Sequence, residues 1–173
     1  MSNLGFKTLT PENWLEPEAV MSIFVTLSLK DGSTSPISAD GWIERIGRPQ
    51  LDPAVPVEIL KLFEVARGSM AYGYFFYPLY TLAGEQLYRV AETAASTKCK
   101  LLGAHSRRVK RFEDKIAFLQ QQNVISQQDW IWWDSIRHLR NFASHPERQS
   151  ILMPYDVLTS LAGVAKHINQ LFA

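Results

Sequence analysis

Apolar residues recur at spacings of three and four from Pro56 to the C-terminus, and this helical rhythm is missing from the first fifty residues. Ile59, Leu60, Phe63 and Ala66 mark a first helix, with Pro56 at its start, where a missing N–H is tolerated. Pro78 starts or kinks a second helix, whose stripe is Leu79, Leu82, Ala83, Leu87, Val90 and Ala94. Phe112, Ile116 and Leu119 set the inward face of a shorter helix over 112–122. Ser126 and Asp129 have capping-box spacing, so the next helix begins near Gln127. Its core stripe is Trp132, Ile136, Leu139 and Ala143, with Trp133, Arg137, Asn141 and Ser144 on a neighbouring face, and Pro146 should end it. A last helix from about Pro154 turns Val157, Leu158, Leu161, Val164, Ile168 and Leu171 inward. The pattern predicts an all-α protein, an antiparallel bundle of four to five helices over residues 51–173.

Residues 1–50 read as a small N-terminal extension without an assigned role. Thr10-Pro11-Glu12-Asn13-Trp14 has the form of a helix start, but Pro17 leaves room for little more than a turn. In Val25-Thr26-Leu27-Ser28-Leu29 apolar and hydroxyl residues alternate with period two before Asp31-Gly32, the mark of a short strand entering a turn. Ser38 is placed to cap a brief helix through Trp42 and Ile46 that Gly47 and Pro49 end.

Composition narrows the class. A chain of 173 residues with 46% hydrophobic content suits one core closed without metals or crosslinks. The single cysteine, Cys99, forms no intrachain disulfide, and no basic n-region leads into an apolar stretch, so a cytoplasmic location is expected. No membrane span is expected either: Val20 to Leu29 is interrupted by Ser22, Thr26 and Ser28 and falls short of the roughly 18 residues required. The six aromatic residues between Tyr72 and Tyr80 are too many for one helical face and belong to a core or an interface.

The net charge of +1 conceals an asymmetry. Residues 1–64 hold nine acids against five bases, and the remainder eight acids against thirteen bases. The sharpest part is Lys98 to Arg111, where Lys98, Lys100, Arg107, Arg108, Lys110 and Arg111 occur with no acid between them. Such a stretch follows a polyanionic backbone, or is a solvated loop between helices.

Chemistry concentrates near the end of the fourth predicted helix, where Arg140, Asn141 and His145 fall within six residues. An arginine holds a phosphate through parallel hydrogen bonds, and a histidine moves protons near neutral pH, which is what phosphodiester cleavage requires. Cations at a helix C-terminus also simply complement the helix dipole. Glu85, Arg89 and Glu92 share a face of the second helix, either as surface pairs or as the lining of a site. His105, His138, His145 and His167 lack metal-ligand spacing with one another or with Cys99, and there is no HExxH, paired CxxC or glycine-rich phosphate loop. No metal or cofactor is expected. His138 and His167 read as surface or interface residues, and Cys99, beside Lys98 and Lys100, as a plain helix-end cysteine in preference to an activated thiol.

From about Pro56 to Ala173 the chain resembles the HEPN superfamily of small helical proteins. The resemblance rests on Arg140-Asn141-Phe142-Ala143-Ser144-His145 late in a helical bundle, a Trp- and Ile-rich helix leading in, Pro146 directly after, and one closing amphipathic helix. Leu79-Tyr80-Thr81-Leu82-Ala83-Gly84-Glu85-Gln86-Leu87-Tyr88 also looks like that family's second helix. The resemblance implies a metal-independent endoribonuclease, commonly a toxin of a toxin–antitoxin pair or a defence effector. It implies a homodimer in which two copies of the motif share one cleft. Carried over by position, Arg140 would hold the scissile phosphate, His145 would handle protons, and Asn141 would orient them or hydrogen-bond the phosphate. Beside this carry-over, the charge and face patterns of the chain make Arg137, Ser144 and the basic stretch the expected RNA-binding residues, with Glu85 and Arg89 as site support. The products would carry 2′,3′-cyclic phosphate ends, because the RNA 2′-hydroxyl is a built-in nucleophile. In one toxin subgroup an antitoxin modifies a tyrosine two positions after the histidine; here that position is Glu147. The superfamily also contains members that bind RNA, nucleotides or proteins without cutting, and a non-catalytic module of that kind is the alternative expectation. In a third reading Arg140 is structural, paired with Glu85 or Glu92.

Overall fold

The computed structural model describes residues 5–145, 147 and 151–173. Among them a two-stranded hairpin is followed by six α-helices: β1 (Val25–Leu27), β2 (Thr34–Pro36), α1 (Ala39–Gly47), α2 (Val57–Gly73), α3 (Leu79–Leu101), α4 (Phe112–Gln121), α5 (Gln127–Ala143) and α6 (Pro154–Phe172). The protein is therefore mainly helical, with one small sheet. Pro146, expected to end α5, lies outside the described residues.

The helix boundaries have local causes. Ser38 Oγ accepts from the Gly41 amide and Ser126 Oγ from the Asp129 amide, each satisfying a donor that the first helical turn leaves unpaired. Asp129 also accepts from the Ser126 hydroxyl at 2.6 Å. Pro154 opens α6 at its first position. Pro56 and Pro78 sit one residue before α2 and α3.

Helix α3 is the hub, packing against α2, α4, α5 and α6. Its buried residues are Tyr80, Ala83, Gly84, Leu87, Tyr88, Val90, Ala91, Ala94, Ala95 and Cys99, a set that covers more than one face and whose small members let neighbouring helices approach. Leu82, expected in the stripe, is exposed; Tyr80 takes the inward position at this end of the helix. The aromatic stretch is mostly core: Tyr74, Tyr77 and Tyr80 are buried and Tyr72 is exposed.

The face assigned to α5 requires correction. Trp133 and Ile136 are its buried residues, whereas Trp132 is half-buried and Leu139 is exposed. Two adjacent tryptophans offer two registers, and neighbouring elements choose between them. Trp133 meets Phe112 of α4 edge-on at 6.4 Å, while Trp132 stacks on His167 of α6 at 4.1 Å. Gly163 makes room for that stack, since a Cβ there would lie 3.0 Å from Trp132 Nε1. His167, expected at the surface or in an interface, is thus buried.

The N-terminal segment is tied to the helices. Strand β1 forms where the alternation places it, and it pairs antiparallel with β2, with Val25 opposite Pro36 and Leu27 opposite Thr34. Trp42 of α1 is buried and donates its Nε1–H to the Met70 carbonyl at 3.1 Å, one of the carbonyls that the end of α2 leaves free. The Glu18 carboxylate is buried and accepts from the amides of Lys7 at 2.9 Å and Tyr77 at 3.3 Å, joining this segment to the α2–α3 corner. No described helix is long and apolar enough to cross a membrane.

Candidate functional site

The orientation of α5 that buries Trp133 and Ile136 carries Arg137, Arg140 and Asn141 toward α3 and the start of α4. Arg140 Nε donates to Glu92 Oε2 of α3 at 3.0 Å, and Lys115 Nζ of α4 donates to Glu92 Oε1 at 3.0 Å. One carboxylate therefore ties three helices together. Lys115 is nearly buried with its side chain 11% exposed, whereas that of Arg140 is 40% exposed, leaving part of the guanidinium open. Arg140 Nη1 lies 3.5 Å from Asn141 Oδ1, at the limit of a hydrogen bond.

In front of Arg140 lies a pocket of about 390 Å³ whose cations are Lys110, Arg111, Arg137 and Arg140. Its carboxylates are Glu92 and Glu113, with Glu92 already engaged on both oxygens. Phe112 and Asn141 complete the lining, and the first turn of α4 adds the positive end of a helix dipole. Such a pocket attracts an anion of the size and geometry of a phosphate, which planar guanidinium groups bind in parallel.

His145 stands on a different surface. It helps line a shallow groove of about 370 Å³ with His138, Leu139, Asn141 and Phe142, and its Nδ1 is 3.5 Å from Glu147 Oε1. Asn141 is common to the groove and the cationic pocket. Among the described residues Arg140 and His145 thus flank Asn141, each lining a different hollow. The two surfaces are linked through Asp134, which accepts from Arg137 Nε at 2.8 Å and is 3.4 Å from His138 Nε2. Arg137 Nη2 is 2.8 Å from the same His138 nitrogen.

These residues all fall within residues 71–172, and that span matches the family described as Domain of unknown function (DUF4145). The chain belongs to the DUF4145 family. No curated protein and no solved structure matches it. The DUF4145 segment holds all of α3 to α6 and with them both hollows, whereas the N-terminal hairpin and α1 lie outside it.

Of the other expected site residues, Lys110, Arg111 and Arg137 line the cationic pocket of the DUF4145 segment. Arg107 and Arg108 are exposed on the loop between α3 and α4, and Lys100 is exposed at the end of α3. Lys98 instead covers the Phe172 ring, its Nζ 5.4 Å from the centroid. Ser144 Oγ donates to the Arg140 carbonyl at 2.9 Å and helps close the end of α5. Glu85 and Arg89 do not line the cationic pocket; Glu92, one or two turns further along α3, does. Burial pushes the Cys99 thiol up to about 11, so it is not an activated nucleophile. Among the described residues no group of three or more His, Cys, Asp or Glu is placed to hold a metal ion.

Proposed function

We propose that this protein is a metal-independent endoribonuclease of the HEPN superfamily, built on that superfamily's helical bundle and acting as a toxin or defence effector in the cytoplasm. The observation that carries the reading is the open guanidinium of Arg140 in a pocket with Arg137, Arg111 and Lys110, adjoining Asn141 and, beyond it, His145. In the reaction the RNA 2′-oxygen bonds to the adjacent phosphorus while the bond to the 5′-oxygen breaks. The 2′-proton passes to a base, and the departing oxygen takes one up. Arg140 offsets the added negative charge at phosphorus, His145 carries a proton, and Asn141 orients the phosphate. The exposed Leu139 and Phe142 flank the His145 groove and supply an apolar margin for a second copy of the chain, so that a homodimer forms the complete cleft.

The test is incubation of the protein and its His145→Ala variant with mixed RNA in EDTA, followed by analysis of the fragment ends. Cyclic-phosphate ends made only by the unmodified protein are expected. Intact RNA with both proteins, at high enzyme concentration too, would remove the reading.

A second reading has its own observation. Arg140 is paired with Glu92, and His145 lies outside the cationic pocket, as befits a helical module that binds RNA, a nucleotide or a protein such as an antitoxin without cutting. Its signature is saturable binding of RNA with no turnover.

A further inference from the structure

We propose that the seam between α4 and α5 is a base-binding subsite for single-stranded RNA, continuous with the cationic pocket at Arg140. The inference rests on the RNA reading given above and assigns what lies beside the phosphate. A third hollow, of about 450 Å³, opens on this seam and meets the cationic pocket at Glu113 and Arg137, which line both. Residues 122–126 join the two helices, which run back along each other. Glu113, in the first turn of α4, faces a hollow shared with Arg137 late in α5, while Gln120 near the end of α4 donates to Gln127 at the start of α5 at 2.6 Å.

The chemistry changes along the seam. One end presents Lys110, Arg111 and Arg140; the other presents Trp130, Gln120, Gln127 and Asp134. The first set suits a phosphate. The second offers what a nucleobase uses: an aromatic surface for stacking, amides that donate and accept, and a carboxylate for an exocyclic amine. Trp130 is half-buried, so its ring is anchored against the core while part of it remains on the hollow. Arg140 and Trp130 are ten residues apart on one helix, about 15 Å along its axis, so the seam is long enough for a phosphate and a base one or two nucleotides along the same strand. Paired RNA hides its base edges in a deep, narrow major groove and keeps its rings stacked, so only an unpaired strand can present a base to Trp130.

The experiment measures binding by the full chain, in EDTA, of a fluorescein-labelled 2′-O-methyl hexanucleotide, whose blocked nucleophile prevents cleavage. A second probe is an abasic backbone of the same length and charge. The hexanucleotide is expected to bind, and Trp130→Ala to weaken it about tenfold or more. The abasic probe should bind the unmodified protein correspondingly less well and be insensitive to Trp130→Ala, which separates base stacking from a general loss of structure. Lys110→Ala should weaken both probes equally and flatten the salt dependence. Should Trp130→Ala fail to fold, Gln127→Ala at an exposed helix start replaces it, with a loss again confined to the probe that carries bases.

Equal binding of both probes by the unmodified protein would overturn the base subsite while leaving the RNA reading standing on Lys110. Absence of binding by either probe would overturn both.

Discussion

Glu92 accepts one hydrogen bond from Lys115 and one from Arg140, and the two partners are unequally covered. Replacing the carboxylate by an amide leaves the ammonium of Lys115 without a counter-charge in a nearly closed site, and Glu92→Gln should cost about 2 kcal/mol in urea unfolding. Arg140 is more exposed and its pair is correspondingly screened, so Arg140→Ala should cost under about 1 kcal/mol while abolishing RNA cleavage. A loss near 3 kcal/mol would instead favour the purely structural role. His167 makes a separate prediction. Burial holds its pKa below the ordinary histidine value, with Lys166 adding to the shift and Asp129 and Gln170 opposing it. Among the described residues its Nδ1 has no hydrogen-bond partner, Asp129 Oδ1 lying 3.4 Å away. Because the unfolded chain binds the proton more readily, this residue's contribution is fully present above about pH 6.5 and is lost as the pH falls through that value toward the depressed folded pKa. Unfolding free energies at pH 7.5 and 5.5 should show a decline that is smaller in His167→Gln. By residue type and spacing Arg140, Asn141 and His145 stand out in the sequence as candidates, because few side chains hold phosphate or move protons, and the structure sets Asn141 between the hollows that Arg140 and His145 line. Lys115 carries no such signal, because a lysine in a helix ordinarily lies in water. The one hint is that Lys115 follows Phe112 by three and directly precedes Ile116 on the apolar side, where a cation needs a carboxylate across the interface.

Elements whose ends are set by local chemistry were legible, and those set by packing were not. Ser38, Ser126 and Pro154 announce α1, α5 and α6, since a cap or a first-turn proline acts within one turn. Strand β2 carries no apolar alternation in Thr34-Ser35-Pro36 and exists only as the partner that β1 recruits. The rotation of α5 was decided between Trp132 and Trp133 by Phe112 and His167, which lie on other helices. The α2–α3 corner shows the same dependence on packing. A Cβ on Gly73 would stand 2.7 Å from the ring of Tyr80, which is fully buried and edge-on to both Trp42 and Tyr77. That ring cannot retreat, so Gly73→Ala should cost about 1–3 kcal/mol in spite of alanine's better helix propensity. At Gly84 the nearest atom is the flexible end of Leu152, so Gly84→Ala should cost less, and thermal unfolding of the two variants should rank them in that order.

For the whole molecule the decisive fact is that Arg140 and His145 flank Asn141 but line different hollows. In the proposed homodimer this separation has a simple use: the phosphate held by Arg140 of one copy is served by His145 of the other, the one shared cleft containing two composite centres related by the twofold axis. Arg140→Ala and His145→Ala should each be inactive alone. After the two variants are mixed in equal amounts and allowed to exchange partners, half of the dimers are mixed, and each mixed dimer contains one centre with both residues intact. About a quarter of the unmodified activity should return. A centre built within one chain gives a different result, because neither variant then possesses a complete set and mixing restores nothing. The same exchange read by size-exclusion chromatography adds the geometric control: Phe142→Glu places a charge on the exposed margin beside the His145 groove, and should shift the protein toward monomer and remove cleavage together. Cleavage by a Phe142→Glu monomer at the unmodified rate would show that one chain suffices, and the Arg140 pocket and His145 would then have to close on one phosphate by a movement of the end of α5.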